Sequence, residues 1–185
     1  MSDYFRKWLR HGKRASTWQR HAGQLNHPDR LWLYAHAEEP VLDVGCGSAV
    51  DAGGFGEYVG LDVTAPFLRS ARFDYGVGNL VLGDARCLPF RDGCFATAYC
   101  KDLLLHLEWG DTLAVLGELV RVGRRAYVAW GVAADGSAYT PLDDRDDFAM
   151  RSGFWHNRFS RQLLNRHFRI GEVVEGTSIT EVMKK

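Results

Sequence analysis

Val41-Leu42-Asp43-Val44-Gly45-Cys46-Gly47-Ser48 is a short apolar run that passes directly into two glycines one residue apart. A strand buried on both faces needs such a run. Glycines at its end let the chain turn tightly and let a ligand approach bare backbone. Asp62 closes the next run, Tyr58-Val59-Gly60-Leu61-Asp62, 19 residues after Asp43. With the two runs as neighbouring parallel strands, the Asp62 carboxylate stands beside the glycine turn, where an acid can accept both hydroxyls of a ribose. Taken alone, Gly-x-Gly and a strand-end aspartate equally describe an ordinary turn and a solvated strand end.

Further short apolar runs follow at Leu80–Leu82, Phe95–Tyr99 and Ala126–Trp130. Their spacing leaves room for crossovers and predicts an α/β fold with a mostly parallel sheet. Thr64, ahead of Ala65-Pro66, starts a short helix with proline in its first turn. Asp111 or Thr112 caps a helix with Leu113, Leu116, Leu119 and Val120 on its apolar face, and Gly123 stops it. Ser160 caps a helix carrying Leu163, Leu164 and Phe168. Ile170–Val174 and Ile179–Met183, joined through Glu175-Gly176-Thr177, make a C-terminal antiparallel hairpin. Two helices joined near Asn26–Asp29 are expected over residues 1–36, the first with Tyr4, Phe5, Trp8 and Leu9, the second with Leu31, Trp32, Leu33 and Tyr34. Residues 131–159 carry no period and read as a long binding loop or lid.

The whole chain, 185 residues with 46% hydrophobic and 25% charged side chains, fits a single domain with a proper core. Its 23 basic and 23 acidic residues cancel, which excludes a global basic field for gripping nucleic acid. No apolar run reaches the roughly 18 residues of a membrane span. Met1-Ser2-Asp3-Tyr4-Phe5-Arg6-Lys7-Trp8 lacks the pattern of a signal peptide, so a cytoplasmic location is expected. Cys46, Cys87, Cys94 and Cys100 form no C-x-x-C pair and read as reduced thiols. Asp143, Asp144, Asp146 and Asp147 lack the spacing of a calcium loop, and no metal site is expected.

Gly83-Asp84-Ala85-Arg86-Cys87-Leu88-Pro89-Phe90 and the following strand resemble the third- and fourth-strand region of class I S-adenosylmethionine-dependent methyltransferases, as does the glycine-turn motif. The resemblance covers residues 40–183 and is most specific over 41–107. It implies a Rossmann-like, doubly wound, mostly parallel sheet ending in the antiparallel hairpin, with 40–183 as the core and 1–36 as an N-terminal helical cover. It also implies S-adenosyl-L-methionine as cofactor. Asp43, Gly45, Cys46 and Gly47 would lie under its methionine half, Asp62 and Val63 at the ribose, and Asp84 and Ala85 at the adenine. Lys101 and Asp102 would follow strand four along the cofactor. His106, four positions beyond Asp102 and on its side of the chain if that stretch is helical, is the candidate base. A histidine packed under a loop is the plain alternative. Tyr99, Trp130, Trp155 and His156 are candidate pocket walls.

The sequence departs from the family between Gly47 and Tyr58. Gly53, Gly54 and Gly56 make a crossover helix costly by roughly 1 kcal/mol each, so a loop or single turn is expected there. A dinucleotide needs a helix N-terminus for its pyrophosphate, and Gly45-x-Gly47-x-x-Val50 lacks the third glycine, so this departure weakens a dehydrogenase reading. One side of the sheet near strand one then needs another cover, from the segment around Trp8 and Trp18 or from a second subunit. The expected function is methyl transfer to a small-molecule acceptor by a monomer or homodimer, with no membrane partner. Two alternatives stand beside it. One is a cofactor-binding protein that does not catalyse. The other is an RNA methyltransferase gripping its substrate through Arg6, Lys7, Arg10, Lys13, Arg14, Arg20 and Arg30. The chain has no Asn/Asp-Pro-Pro-aromatic tetrapeptide, which favours an oxygen, carbon or small-molecule nitrogen acceptor.

Overall fold

The computed structural model describes residues 27–129, 139–141, 157–159 and 161–185. The elements are α1 (Pro28–His36), β1 (Val41–Val44), β2 (Tyr58–Asp62), α2 (Ala65–Tyr75), β3 (Leu80–Leu82), β4 (Phe95–Lys101), α3 (Trp109–Val122) and β5 (Gly123–Ala129). They are followed by β6 (Tyr139–Pro141), β7 (Asn157–Phe159), α4 (Arg161–Leu164), β8 (Arg169–Val173) and β9 (Ile179–Met183). Seven strands form one sheet in the order β3-β2-β1-β4-β5-β9-β8. β1 to β5 are parallel, while β9 pairs antiparallel with both β5 and β8. The mostly parallel α/β sheet and its C-terminal hairpin are therefore as the sequence implied.

Side-chain alternation along the strands assigns each face its cover. Leu42 and Val44 of β1, with Ala98 and Cys100 of β4 and Ala126 and Val128 of β5, pack in one cluster with Val115, Leu116, Leu119 and Val122 of α3. α3 begins earlier than expected. Glu108 is its N-cap and Trp109 its first residue, so Asp111 lies inside the first turn and Thr112 is fully buried. The expected apolar face is also rotated: Val115 and Val122 are buried where Leu113 and Val120 are only partly so. Apolar residues covered nearly the whole helix circumference here, so periodicity did not single out the buried stripe.

On the opposite face, Val41 of β1, Tyr99 of β4, Tyr127 and Ala129 of β5 and Ile179 of β9 meet Leu33 of α1. This is the face the short crossover leaves uncovered. Between Gly47 and Tyr58 the chain makes one 3-10 turn, Ala52–Gly54, as its glycines predicted. Phe55 follows, its ring 5.2 Å from Tyr34, 6.1 Å from Tyr58 and 6.2 Å from Tyr99. An aromatic layer shared between α1 and this segment thus fills the place of the missing helix. Gly54 permits it, because a Cβ there would sit 2.0 Å from the Tyr34 ring.

α1 is tied down at its first turn. The buried Asp29 carboxylate accepts the Ser178 amide at 2.7 Å and the Ser178 hydroxyl at 2.5 Å, which fixes the turn between β8 and β9. The expected helix containing Trp8, the acidic run at Asp143–Asp147, and Trp18, Trp130, Trp155, His156 and Ser160 lie outside the described residues. Within the segment read as a loop, β6 and β7 pair antiparallel as a separate two-stranded sheet. The expected helix after Ser160 is a single turn, α4, with Leu164 buried.

Candidate active site

Strand order reverses between β1 and β4, and in an open parallel sheet the crevice outside the strands' carboxyl ends at that point is where ligands bind. A cleft of about 230 Å³ opens there. It is lined by Gly45, Cys46 and Gly47 after β1, by Asp62 at the end of β2 with Val63 and Thr64 beyond it, by Asp84, Ala85 and Arg86 after β3, and by Lys101 at the end of β4 with Asp102, Leu103 and His106 beyond it. Asp43 also reaches it, so the eleven residues assigned a cofactor or base role from the sequence all border one cleft.

The glycine turn is held from below. Gly45 has φ +79° and Gly47 φ +54°, a left-handed backbone that glycine adopts without strain. A Cβ on Gly47 would meet nothing within 4 Å, whereas one on Gly45 would lie 2.9 Å from Leu103 Cδ2. Gly47 therefore presents the bare backbone, while Gly45 makes room for the Leu103 wall. Asp62 Oδ2 accepts the Gly47 amide at 2.9 Å and Asp62 Oδ1 accepts the Thr64 amide at 2.7 Å. The same carboxylate thus fixes the turn after β1 and the start of α2. Burial pushes its pKa up, and those amides pull it down. Among the described residues, Ala49 and Asp102 are the non-glycine residues with positive φ, at 52° and 56°, the first in the turn after β1 and the second directly after β4.

Beneath the turn lies a buried set of charges. Tyr58 Oη donates to Asp43 Oδ2 at 2.8 Å, and Asp43 faces Tyr99, its register partner on β4. Burial, reinforced by the Asp51 carboxylate, raises the Asp43 pKa. Arg30 of α1, almost fully buried, pairs with Asp51. Lys101 Nζ lies 3.5 Å from Asp51 and 3.6 Å from Asp102. Burial pulls the Lys101 pKa down, but Asp51, Asp102 and Asp43 together outweigh it, and it is raised.

Several expectations need correction. Asp102 and His106 do not share a helix face: Asp102 is left-handed and exposed, and only Leu104–His106 make a 3-10 turn. Both still reach the cleft, His106 from a buried position. Tyr99 lies in the core beneath Asp43 and not in the pocket wall. Sequence reasoning missed Arg30, Asp51, Tyr58 and Arg86. Arg30 and Asp51 are 21 residues apart on different elements, and no local pattern links them. Arg86 sits two residues beyond Asp84, a spacing that could have drawn notice.

A family described as a methyltransferase domain matches residues 41–125, from the glycine-turn strand into β5. This stretch is an S-adenosylmethionine-dependent methyltransferase domain. The chain is 33% identical over 139 residues to the malonyl-[acyl-carrier protein] O-methyltransferase of Pectobacterium atrosepticum, covering 68% of this chain and 52% of that protein. It is 32% identical over 140 residues to the same enzyme of Pseudescherichia vulneris, covering 68% and 53%. The chain thus spans about half the length of these curated relatives. The methyltransferase fold extends beyond the matched stretch. Burkholderia thailandensis 1,6-didemethyltoxoflavin-N1-methyltransferase, solved with bound 1,6-didemethyltoxoflavin and S-adenosylhomocysteine, superposes with a TM-score of 0.67 at 17% identity, over 98% of this chain and 85% of that one.

The domain's own geometry fits this cofactor. A pyrophosphate would require a helix N-terminus after β1, and the chain has only the Ala52–Gly54 turn. S-adenosylmethionine carries no phosphate. The open side of Gly47 and the carboxylates at the ends of β2 and β3 match the needs of a nucleoside.

Proposed function

We propose that the chain binds S-adenosyl-L-methionine and transfers its methyl group to a small-molecule acceptor. The observation that carries this reading is that Asp84, Asp62, Gly47 and Lys101 lie at or just beyond the carboxyl ends of four adjacent strands, β3, β2, β1 and β4, around one cleft. Three strand spacings of about 4.8 Å give a row of roughly 14 Å. In this reading Asp84 and Ala85 hold the adenine, Asp62 and Val63 the ribose, and Gly45, Cys46 and Gly47 the methionine backbone. Asp43, Lys101 and Asp102 provide the charges around its ammonium and carboxylate. The bound cofactor supplies an activated methyl group on a sulfonium. What remains for the protein is to align the acceptor, exclude water and, for some acceptors, take a proton.

His106, buried at the cleft beside the end of β4, is the candidate base. The curated relatives' name describes an oxygen acceptor on malonyl-[acyl-carrier protein]. An oxygen acceptor is the chemistry to test first. A carboxylate is already ionised and needs no base, whereas a hydroxyl does. We place the domain in the cytoplasm on its four free thiols and read residues 1–185 as one domain acting as a monomer or homodimer. Among the described residues no helix is long and apolar enough to cross a membrane.

Calorimetry with S-adenosylmethionine and S-adenosylhomocysteine, followed by transfer of labelled methyl to carboxylate, hydroxyl and RNA acceptors, tests the proposal. Binding with transfer to a small acceptor supports it. Binding without transfer to any acceptor favours the non-catalytic alternative, and transfer to RNA the nucleic-acid one. Absence of binding removes the reading.

A further inference from the structure

Asp84 follows β3 with its carboxylate on the cleft wall, about one third exposed. An aspartate that open to water ordinarily swings between rotamers and accepts hydrogen bonds from solvent. This one is held. Its Oδ1 accepts the Arg86 backbone amide at 2.9 Å and Arg86 Nε at 3.0 Å. Its Oδ2 accepts one terminal guanidinium nitrogen at 2.7 Å and the same Nε at 3.1 Å. The guanidinium is itself anchored, donating through its other terminal nitrogen to Asp111 Oδ1 at 3.0 Å, in the first turn of α3. A planar fork fixed at both ends has little freedom to rotate, unlike a lysine ammonium in the same place.

Two consequences follow for any ligand in the cleft. The Arg86 hydrogen bonds hold the Asp84 pKa below its ordinary value, so the group is ionised and accepts only. Three N–H groups, one of them shared between both oxygens, occupy about three of the four lone-pair sites of a carboxylate. One acceptor site remains. Such a site selects a ligand N–H.

We propose that Arg86 is a positioning residue for base recognition: it fixes the Asp84 carboxylate so that its remaining acceptor site selects a purine carrying an exocyclic amino group. The inference rests on the reading that the cleft binds S-adenosylmethionine, with its adenine at Asp84. Asp111 serves the same end from α3, by fixing the far side of the guanidinium.

The test uses S-adenosylhomocysteine and its analogue with purine in place of adenine, which lacks the 6-amino group. Calorimetry measures both dissociation constants for the full chain and for Arg86→Gln and Arg86→Lys, each variant checked by thermal unfolding. The full chain should prefer the adenine compound by about tenfold or more, the scale of one hydrogen bond to a charged acceptor. Arg86→Gln should bring the two compounds within about threefold of each other, with affinity for the purine analogue little changed. Arg86→Lys should not restore the preference. A preference kept in Arg86→Gln, with both affinities falling in parallel, would overturn the inference and mark Arg86 as ordinary scaffolding. A full chain that binds both compounds equally would also overturn it while leaving the cofactor reading intact. A full chain that binds neither would sink that reading, and the inference with it.

Discussion

Replacing Asp62 by asparagine perturbs a structural and a recognition role together, and the two have different readouts. The carboxylate accepts the Gly47 amide on one oxygen and the Thr64 amide on the other. Asparagine keeps one acceptor oxygen and turns the other into an NH₂, which must face an amide donor. One charge-assisted hydrogen bond is lost, worth about 1.5–3 kcal/mol. The loss is partly offset, because burial already disfavours the charge and raises the group's pKa. A net destabilisation of about 1–2 kcal/mol corresponds to a fall in melting temperature of roughly 2–8 °C for a chain of this size. Loss of an ionised acceptor to a ribose should weaken S-adenosylhomocysteine about 10–100-fold. The pH dependence separates the roles further. Wild-type binding should weaken as pH falls through the raised Asp62 pKa, whereas Asp62→Asn should be flat over the same range. Asp62→Ala is the poorer probe, since it strands the part-buried Gly47 amide and the buried Thr64 amide at once. Calorimetry and thermal unfolding of Asp62→Asn measure both quantities, and a folded variant with unchanged affinity and melting temperature would refute the reasoning.

Gly54→Ala should lower the melting temperature, because its Cβ would displace the Tyr34 ring and part α1 from the Phe55 layer; an unchanged value would mean the cover is not held there. Leu33→Ala should cost about 2–5 kcal/mol in chemical denaturation, as a buried leucine in the cluster that closes the α1 face. Asp43 has a folded-state pKa pushed up to about 7. Its stabilising contribution is thus full below the unfolded value near 4 and is lost as pH rises through about 7. Asp43→Asn should therefore gain stability relative to wild type between pH 5 and 8, and a constant difference across that range would contradict the assignment. His106→Ala should reduce transfer to a hydroxyl acceptor by about 10²-fold or more while leaving transfer to a carboxylate within a few-fold. An equal loss on both would point to a packing role.

How far the sequence reached depends on how local each signal was. Val41–Val44 and Leu80–Leu82 were legible to the residue: Val41–Val44, buried between β2 and β4, needs a continuous apolar run, and Leu80–Leu82, the edge strand, is a short apolar run bounded by turn residues. The missing crossover helix was equally legible, because Gly53, Gly54 and Gly56 oppose helix locally. What replaces it was not: Leu33, Tyr34 and Phe55 come together only through the register of the sheet and the docking of α1. The same holds inside the cleft. Gly45, Gly47, Asp62 and Asp84 announce themselves by their place at strand ends. The Arg30 and Asp51 pair joins elements 21 residues apart, and the hold of Asp62 on Gly47 exists only once β1 and β2 lie side by side. The start of α3 was misplaced because capping preference pointed to Asp111, whose carboxylate instead meets Arg86.

Amide-resolved NMR during titration with S-adenosylhomocysteine tests the central claim most directly. Saturable shifts at Gly47, Val63, Ala85 and Asp102, with the amides of β8 essentially still, are the expected result. A titration that leaves those four amides unmoved, or that moves a different surface, would contradict the account.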